Sequence, residues 1–223
     1  MTRPTIEAVV FDLDGLLVNT EDVYLESNNI ILQRRGKTYD VTLREQMTGR
    51  PARDSLRIMI EYHQLTDTVD ELADESEQTF KLLADQQLAP MPGAVELLDA
   101  IGRAGLPAAV ATSATRRFAI GPLERLGLVS RFRFVLSAED VTQGKPAPEI
   151  YLLAAERLGV SPERIMVLED SGMGCRAGLA AGALTIAVPN RHTGSHDFSG
   201  VALMANTLAD PRIYAALGIA FGN

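Results

Sequence analysis

The sequence predicts an α/β fold, a parallel sheet covered by helices, with a wholly helical segment inserted after the first strand. Three observations point there. Five short apolar runs lie along the chain, and helical patterns separate the last four. Residues 18 to about 88 carry no strand pattern, only amphipathic helical spacing. The first apolar run ends in two aspartates, Asp12 and Asp14, at the edge where α/β sheets bind ligands.

The first run, 6–11, is rich in β-branched residues and is stopped by Gly15. Period-2 geometry sends Asp12 and Asp14 to one side of the chain and Leu13 to the other. The next segment reads as helices at 20–35, 42–47, 52–63 and 69–87, the last opened by Thr68-Val69-Asp70-Glu71 with acids in its first turn. A segment this long is no crossover loop. It reads as an inserted helical domain, 18–88, between core segments 1–17 and 89–223. The chain re-enters the core near Ala89-Pro90-Met91-Pro92-Gly93. Strands follow at 107–112, 132–136, 165–169 and 184–188, with helices at 115–126, 147–158 and 173–181 between them. Gly102, Gly105, Gly127, Gly159 and Gly182 fall near helix ends, where a left-handed residue commonly stops a helix. Residues 191–223 are less patterned.

The chain has 223 residues, mean hydropathy +0.05 and a formal net charge of −8. That charge argues against broad electrostatic binding to nucleic acid or anionic membranes, while leaving room for a local basic pocket. A single cysteine, Cys175, allows no intrachain disulfide and fits a reducing cytoplasm. The N-terminal residues have no apolar core behind them, and no apolar run approaches the ~20 residues of a membrane span. A cytoplasmic protein is expected, and nothing in the sequence demands more than a monomer.

Chemistry gathers at the strand ends. Two like charges as close as Asp12 and Asp14 cost free energy unless a metal or a shared proton offsets them. Thr112 and Ser113 end the second strand, Gly144-Lys145-Pro146 precedes a helix after the third, and Glu169-Asp170-Ser171 ends the fourth. A hydroxyl, an ammonium and four carboxylates along one sheet edge suit a phosphoryl group with Mg²⁺, which prefers oxygen ligands. Taken singly, each has a blander explanation: Asp-x-Asp-Gly as a solvated turn, Thr112 as an ordinary strand end, Gly-Lys-Pro as a surface turn.

In order and at strand ends, the set resembles the haloacid dehalogenase (HAD) superfamily. Asp12-Leu13-Asp14-Gly15 is similar to its first motif, Thr112 to its second, Lys145 to its third and Glu169-Asp170 to its fourth. Residues 144–151 and the stretch from Gly49-Arg50 to Asp54-Ser55-Leu56 resemble the branch holding β-phosphoglucomutases and sugar-phosphate phosphatases. The resemblance implies a Rossmann-like core with a helical cap. It implies Asp12 as nucleophile, forming an aspartyl phosphate, and Asp14 as general acid and base. Mg²⁺ would be held by Asp12, the Asp14 carbonyl, Asp170 and Glu169, the last directly or through water. Thr112 and Lys145 would bind nonbridging oxygens, with backbone donors near Gly15 and Ser113 and a further contact from Arg116. Arg50 and Arg53 would read the substrate from the cap.

Departures from the family pattern favour a phosphatase of a small phosphorylated metabolite. Tyr24, Thr48 and Ala52 stand where the mutases carry a histidine, a lysine and an arginine. A mutase must grip a bisphosphate at both ends and needs that cationic cap. A phosphomutase and a catalytically idle scaffold are the rival readings. Asp14 excludes a dehalogenase, which lacks that residue. The only cap lysines, Lys37 and Lys81, do not sit in a Schiff-base context. Asn19 replaces an aspartate usual in the first linker. Elsewhere, Cys175 reads as a small buried hydrophobe, and Gly172-Met173-Gly174 as a tight turn rather than a dinucleotide loop. His192 and His196 read as solvated loop side chains rather than metal ligands.

Overall fold

The computed structural model describes residues 5–47, 50 and 52–222. The chain divides into two compact units, Met1–Thr20 with Ala89–Asn223, and Glu21–Leu88. The first holds a parallel sheet of β1 (Ala8–Phe11), β2 (Ala108–Ala111), β3 (Val135–Leu136), β4 (Ile165–Glu169), β5 (Leu184–Ala187) and β6 (Leu203–Met204). Their order is β3-β2-β1-β4-β5-β6. Chain progression therefore reverses between β1 and β4, the switch point where such sheets bind ligands. The register is continuous there, with Val10 opposite Ala109 on one side and Val167 on the other.

All residues of β1 and β4 are buried, as expected of strands covered on both faces. One face packs Ala8, Val10, Val167 and Leu136 against Ile150, Tyr151 and Ala154 of α7 (Glu149–Leu158) and Ala177 of α8 (Gly172–Ala180). Each large aliphatic side chain sealed there contributes about 1.5–3 kcal/mol.

Several elements depart from the sequence reading. The apolar run 132–136 yields a strand only at Val135–Leu136, because a 3₁₀ turn at Val129–Arg131 takes the Phe132 N–H onto the Val129 carbonyl. The helix Ala94–Arg103, α5, was legible only through the glycines at its end. Gly102 lies inside it, and Gly105 (φ 69°) makes the left-handed turn. The final stretch adds β6 and α9 (Pro211–Leu217), capped by Asp210 and ended by left-handed Gly218.

The unit Glu21–Leu88 carries α1 (Thr20–Gln33), which begins one residue earlier, α2 (Val41–Met47), α3 (Ala52–His63) and α4 (Val69–Gln87). Ile31, Leu32, Leu43, Met59 and Leu72 form its apolar centre. Thr68 caps α4 reciprocally with Glu71, satisfying two donors that a helix start leaves open. Arg35 spans to Asp67 and Glu75, both at 2.6 Å. The units divide at Thr20–Glu21 instead of 17–18, since bridges Asp14–Val18 and Val18–Pro90 tie this stretch to the sheet. The Asn19 side-chain oxygen accepts the Ala89 N–H at 2.8 Å, and the Asn19 N–H reaches the Ala89 carbonyl at 3.2 Å. Asparagine thus serves where the family pattern has aspartate.

Candidate active site

Asp12 follows β1 directly, and its N–H continues the ladder onto the Leu168 carbonyl of β4. Leu13, fully buried, turns away as the period-2 geometry requires. The two carboxylates meet different surroundings. Asp12 Oδ1 accepts from Lys145 Nζ at 2.6 Å. Asp14 accepts from two hydroxyls, Thr20 at 2.6 Å and Thr112 at 3.1 Å. Burial raises the Asp14 carboxyl above its usual range against the pull of those hydroxyls. Burial pushes Asp12 up further, to about 8; Lys145 opposes this, and the Glu169 and Asp14 charges add to it.

Lys145 arrives on the 141–148 loop, which Glu149 pins by accepting the Thr142 and Gln143 N–H groups. Its three ammonium protons go to Asp12 Oδ1, Glu169 Oε1 (2.6 Å) and the Ala111 carbonyl (2.9 Å). Burial disfavours this ammonium, yet the Asp12 and Glu169 charges outweigh burial and hold its pKa well above the usual value. Glu169 ends β4 with no exposure. Oε1 also accepts from the Tyr151 hydroxyl at 2.7 Å, and Oε2 takes the Ser171 N–H and hydroxyl. Asp170 accepts from the Asn190 amide at 2.9 Å, and the same amide reaches the Gly15 carbonyl at 3.1 Å.

The expected site residues therefore separate. Asp12, Asp14, Thr112, Lys145, Glu169 and Asp170 converge at the ends of β1, β2 and β4. Their partners differ from expectation. The Thr112 hydroxyl donates to Asp14 and accepts the Ala114 N–H, so it orients the acid instead of facing a phosphoryl oxygen. Lys145 spends all its protons on protein oxygens, so its charge, rather than a direct bond, is what it offers from this position. The Gly15 N–H is taken by the Val18 carbonyl at 2.8 Å and is no phosphate donor here. Arg116 opens α6 (Arg116–Arg125) but pairs with Asp140 at 2.7 Å, because the capped 138–140 turn presents that carboxylate to it. Ser113 is exposed beside it.

In the helical unit, Arg53 pairs with Asp70 at 2.7 Å, and Arg50 Nε bonds the Gln46 carbonyl. Thr48 and Gly49 lie outside the described residues. Cys175 is buried, and burial pushes its thiol pKa up, so it is a hydrophobe here. The His196 ring nitrogen Nδ1 accepts the Gly172 N–H at 3.3 Å, a packing contact instead of a solvated one.

Sequence reasoning missed Asn190 and Tyr151. Asn190 stands just past the carboxyl end of β5, the same edge as the acids, which was its one available signal. Tyr151 follows Lys145 by six residues on a helix whose buried face was legible, but nothing in its spacing marked a polar tip aimed at Glu169.

Among the described residues, Asp12, Glu169 and Asp170 offer ligand oxygens within 4.8 Å of one another, all buried. Burial, with the neighbouring Glu169 and Asp14 charges, raises the Asp12 carboxyl against the single ammonium of Lys145, so the cluster carries more negative than positive charge. An all-oxygen donor set with that imbalance fits Mg²⁺. Within the set Glu169 already has both oxygens occupied by four protein donors, so the better-suited donors are Asp12 and Asp170.

A parallel sheet of this order, with carboxylates at the carboxyl ends of the strands beside its switch point, defines a doubly wound α/β scaffold that binds its ligand at that edge. The family model "Haloacid dehalogenase-like hydrolase" matches residues 9–188, and the chain belongs to that family. It is 36% identical over 177 residues to a phosphorylated carbohydrates phosphatase of Thermotoga maritima, covering 79% of this chain and 82% of that one. Among solved structures it resembles a Thermotoga maritima chain provisionally named a β-phosphoglucomutase, at TM-score 0.79 and 31% identity, covering 96% of this chain and 97% of that one. It also resembles CbbY of Rhodobacter sphaeroides in complex with phosphate, at TM-score 0.79 and 29% identity, covering 92% and 96%.

Proposed function

We propose that this chain is a Mg²⁺-dependent phosphatase that hydrolyses a small phosphorylated metabolite, of the sugar-phosphate class, through an aspartyl phosphate on Asp12. The observation that carries the reading is the unequal handling of two neighbouring carboxylates, Asp12 held by an ammonium and Asp14 by two hydroxyls. Unequal environments divide acid and nucleophile roles. Family membership and a relative that acts on phosphorylated carbohydrates support the substrate class.

Lys145 opposes the upward pull of burial on Asp12 and steers the carboxylate through Oδ1, so Oδ2 is the oxygen that attacks phosphorus. The phosphorus–ester oxygen bond breaks, and Asp14 gives the leaving oxygen its proton. Asp14 then takes a proton from water, whose oxygen attacks phosphorus and breaks the bond to Asp12, releasing phosphate. Thr20 and Thr112 aim Asp14 through both steps. Mg²⁺, held by Asp12 and Asp170 with the Asp14 carbonyl, would neutralise repulsion between nucleophile and phosphate. Lys145 adds positive charge where the transition state spreads negative charge. Arg50 and Arg53 of the helical unit are the candidate substrate readers.

Phosphate release from a panel of sugar, nucleotide and small-acid phosphates, with Mg²⁺ and with EDTA, tests the reading. Metal-dependent release from one or a few members is expected, and Asp12→Asn should lose it while staying folded. No release, with interconversion of a hexose 1-phosphate in the presence of a bisphosphate, would replace it by a phosphomutase. Neither activity would leave an idle scaffold.

A further inference from the structure

The Glu169 carboxylate is fully buried with both oxygens bonded, and the acid–base scheme above gives it no step. It takes four hydrogen bonds, from Lys145, the Tyr151 hydroxyl, and the Ser171 N–H and hydroxyl. Gly174 walls it in: a Cβ added there would lie 1.7 Å from Oε1. Tyr151 is itself fully buried, and Lys145 Nζ lies 5.1 Å from its ring centroid. Its ring belongs to the apolar face shared with Val10 and Val167, so the phenol cannot swing away without opening the core. The hydroxyl so placed shares Oε1 with the ammonium.

We propose that Tyr151 is a positioning residue: its hydroxyl fixes Glu169 on Lys145, and the anchored Lys145 holds Asp12 in line for attack. Without that bond, Oε1 loses a donor, the carboxylate can rotate, and the ammonium loses the partner that fixes it between Asp12 and the Ala111 carbonyl. The effect falls on the reacting geometry more than on ground-state substrate binding. This rests on the phosphatase reading for its kinetic consequence, but not for its structural one.

The test compares the unaltered chain with Tyr151→Phe, which keeps the ring and removes the hydroxyl. On an ester that the unaltered chain hydrolyses, kcat is expected to fall about tenfold with KM within about twofold, the signature of an interaction made in the transition state. The same change placed on Glu169→Gln should add almost nothing, because the hydroxyl acts only through Glu169. A kcat within about twofold of the parent, or fully additive effects, overturns the proposal. An activity-independent arm follows the Lys145 ammonium by ¹⁵N NMR. Its protons should exchange with water slowly in the unaltered chain and at least about tenfold faster in Tyr151→Phe, as a lost partner implies. Equal exchange overturns the proposal even if no ester is cleaved, whereas faster exchange without turnover upholds the positioning and sinks only the phosphatase reading. Should Tyr151→Phe fail to fold, the unaltered chain decides. A slowly exchanging, downfield Tyr151 hydroxyl proton close to the Lys145 ammonium protons is expected, and fast exchange with water overturns it.

Discussion

At the scale of single residues, the site divides labour by hydrogen-bond partner rather than by residue type. Asp12 and Asp14 are chemically identical and two residues apart, yet one meets an ammonium and the other two hydroxyls. Asp14→Asn is therefore expected to slow esters with poor leaving groups far more than aryl esters, whose leaving oxygen needs little protonation. Rates across a leaving-group series check this; a uniform loss would remove Asp14 from the acid role. Asn190 works at the same scale, with one amide bridging the Asp170 carboxylate and the Gly15 carbonyl. Partners that orient metal ligands typically matter about 10–100-fold in affinity. Asn190→Ala should weaken Mg²⁺ binding by at least about tenfold in a calorimetric titration. An unchanged affinity would mean that Asp170 needs no brace.

At the scale of elements, the helical unit is held by apolar packing and by an ion cluster around Arg35, among other pairs. Arg35 reaches Asp67 with two nitrogens and Glu75 with one, at side-chain exposures of 19%, 22% and 23%. Its hydrogen bonds hold both carboxyls below their usual range. A carboxyl with a depressed folded-state pKa stabilises the fold above its unfolded value, and that stability is lost as pH falls through the folded value. Arg35→Ala should thus cost about 1–2 kcal/mol at neutral pH. The gap between variant and parent should shrink as pH falls below about 4 and close once pH is below the depressed folded values of both carboxyls. Denaturant melts at pH 7 and pH 3 measure it. A gap of constant size across that range would assign the loss to the arginine stem's packing instead.

At the scale of the whole molecule, each unit has its own apolar centre, and the chain leaves and re-enters the sheet unit at adjacent points. The Asn19–Ala89 pair of hydrogen bonds closes that gap. Replacing Glu21–Leu88 with a short Gly/Ser linker is expected to leave a sheet unit that still melts cooperatively and binds Mg²⁺. Its hydrolysis should lose the distinction between substrates on the panel. Selectivity identical to the full chain would place substrate reading in the sheet unit alone.

Much of this was legible beforehand, for reasons particular to these residues. The strand at 165–169 matches its apolar run because both of its faces are buried, so burial alone marks its ends. The helix at 69–87 was marked by Thr68 and Glu71, whose capping chemistry is local. The spacing of Asp12 and Asp14 after a strand needed nothing but pleat geometry. The Asp210-Pro211 start and Gly218 stop of α9 were equally local, yet without a strong apolar stripe between them they did not stand out. By itself, then, the sequence determined the α/β class, the inserted helices and the edge at which chemistry gathers, because period, caps and strand ends are properties of neighbouring residues. Only the tertiary structure decided which donors each carboxylate receives: Thr20 and Thr112 for Asp14, Lys145 and Tyr151 for Glu169, Asn190 for Asp170. Those partners lie between 6 and 98 residues apart in the chain and meet only when parallel strands bring their ends together. No local pattern encodes such a meeting, because it depends on sheet order and on which helix face turns inward.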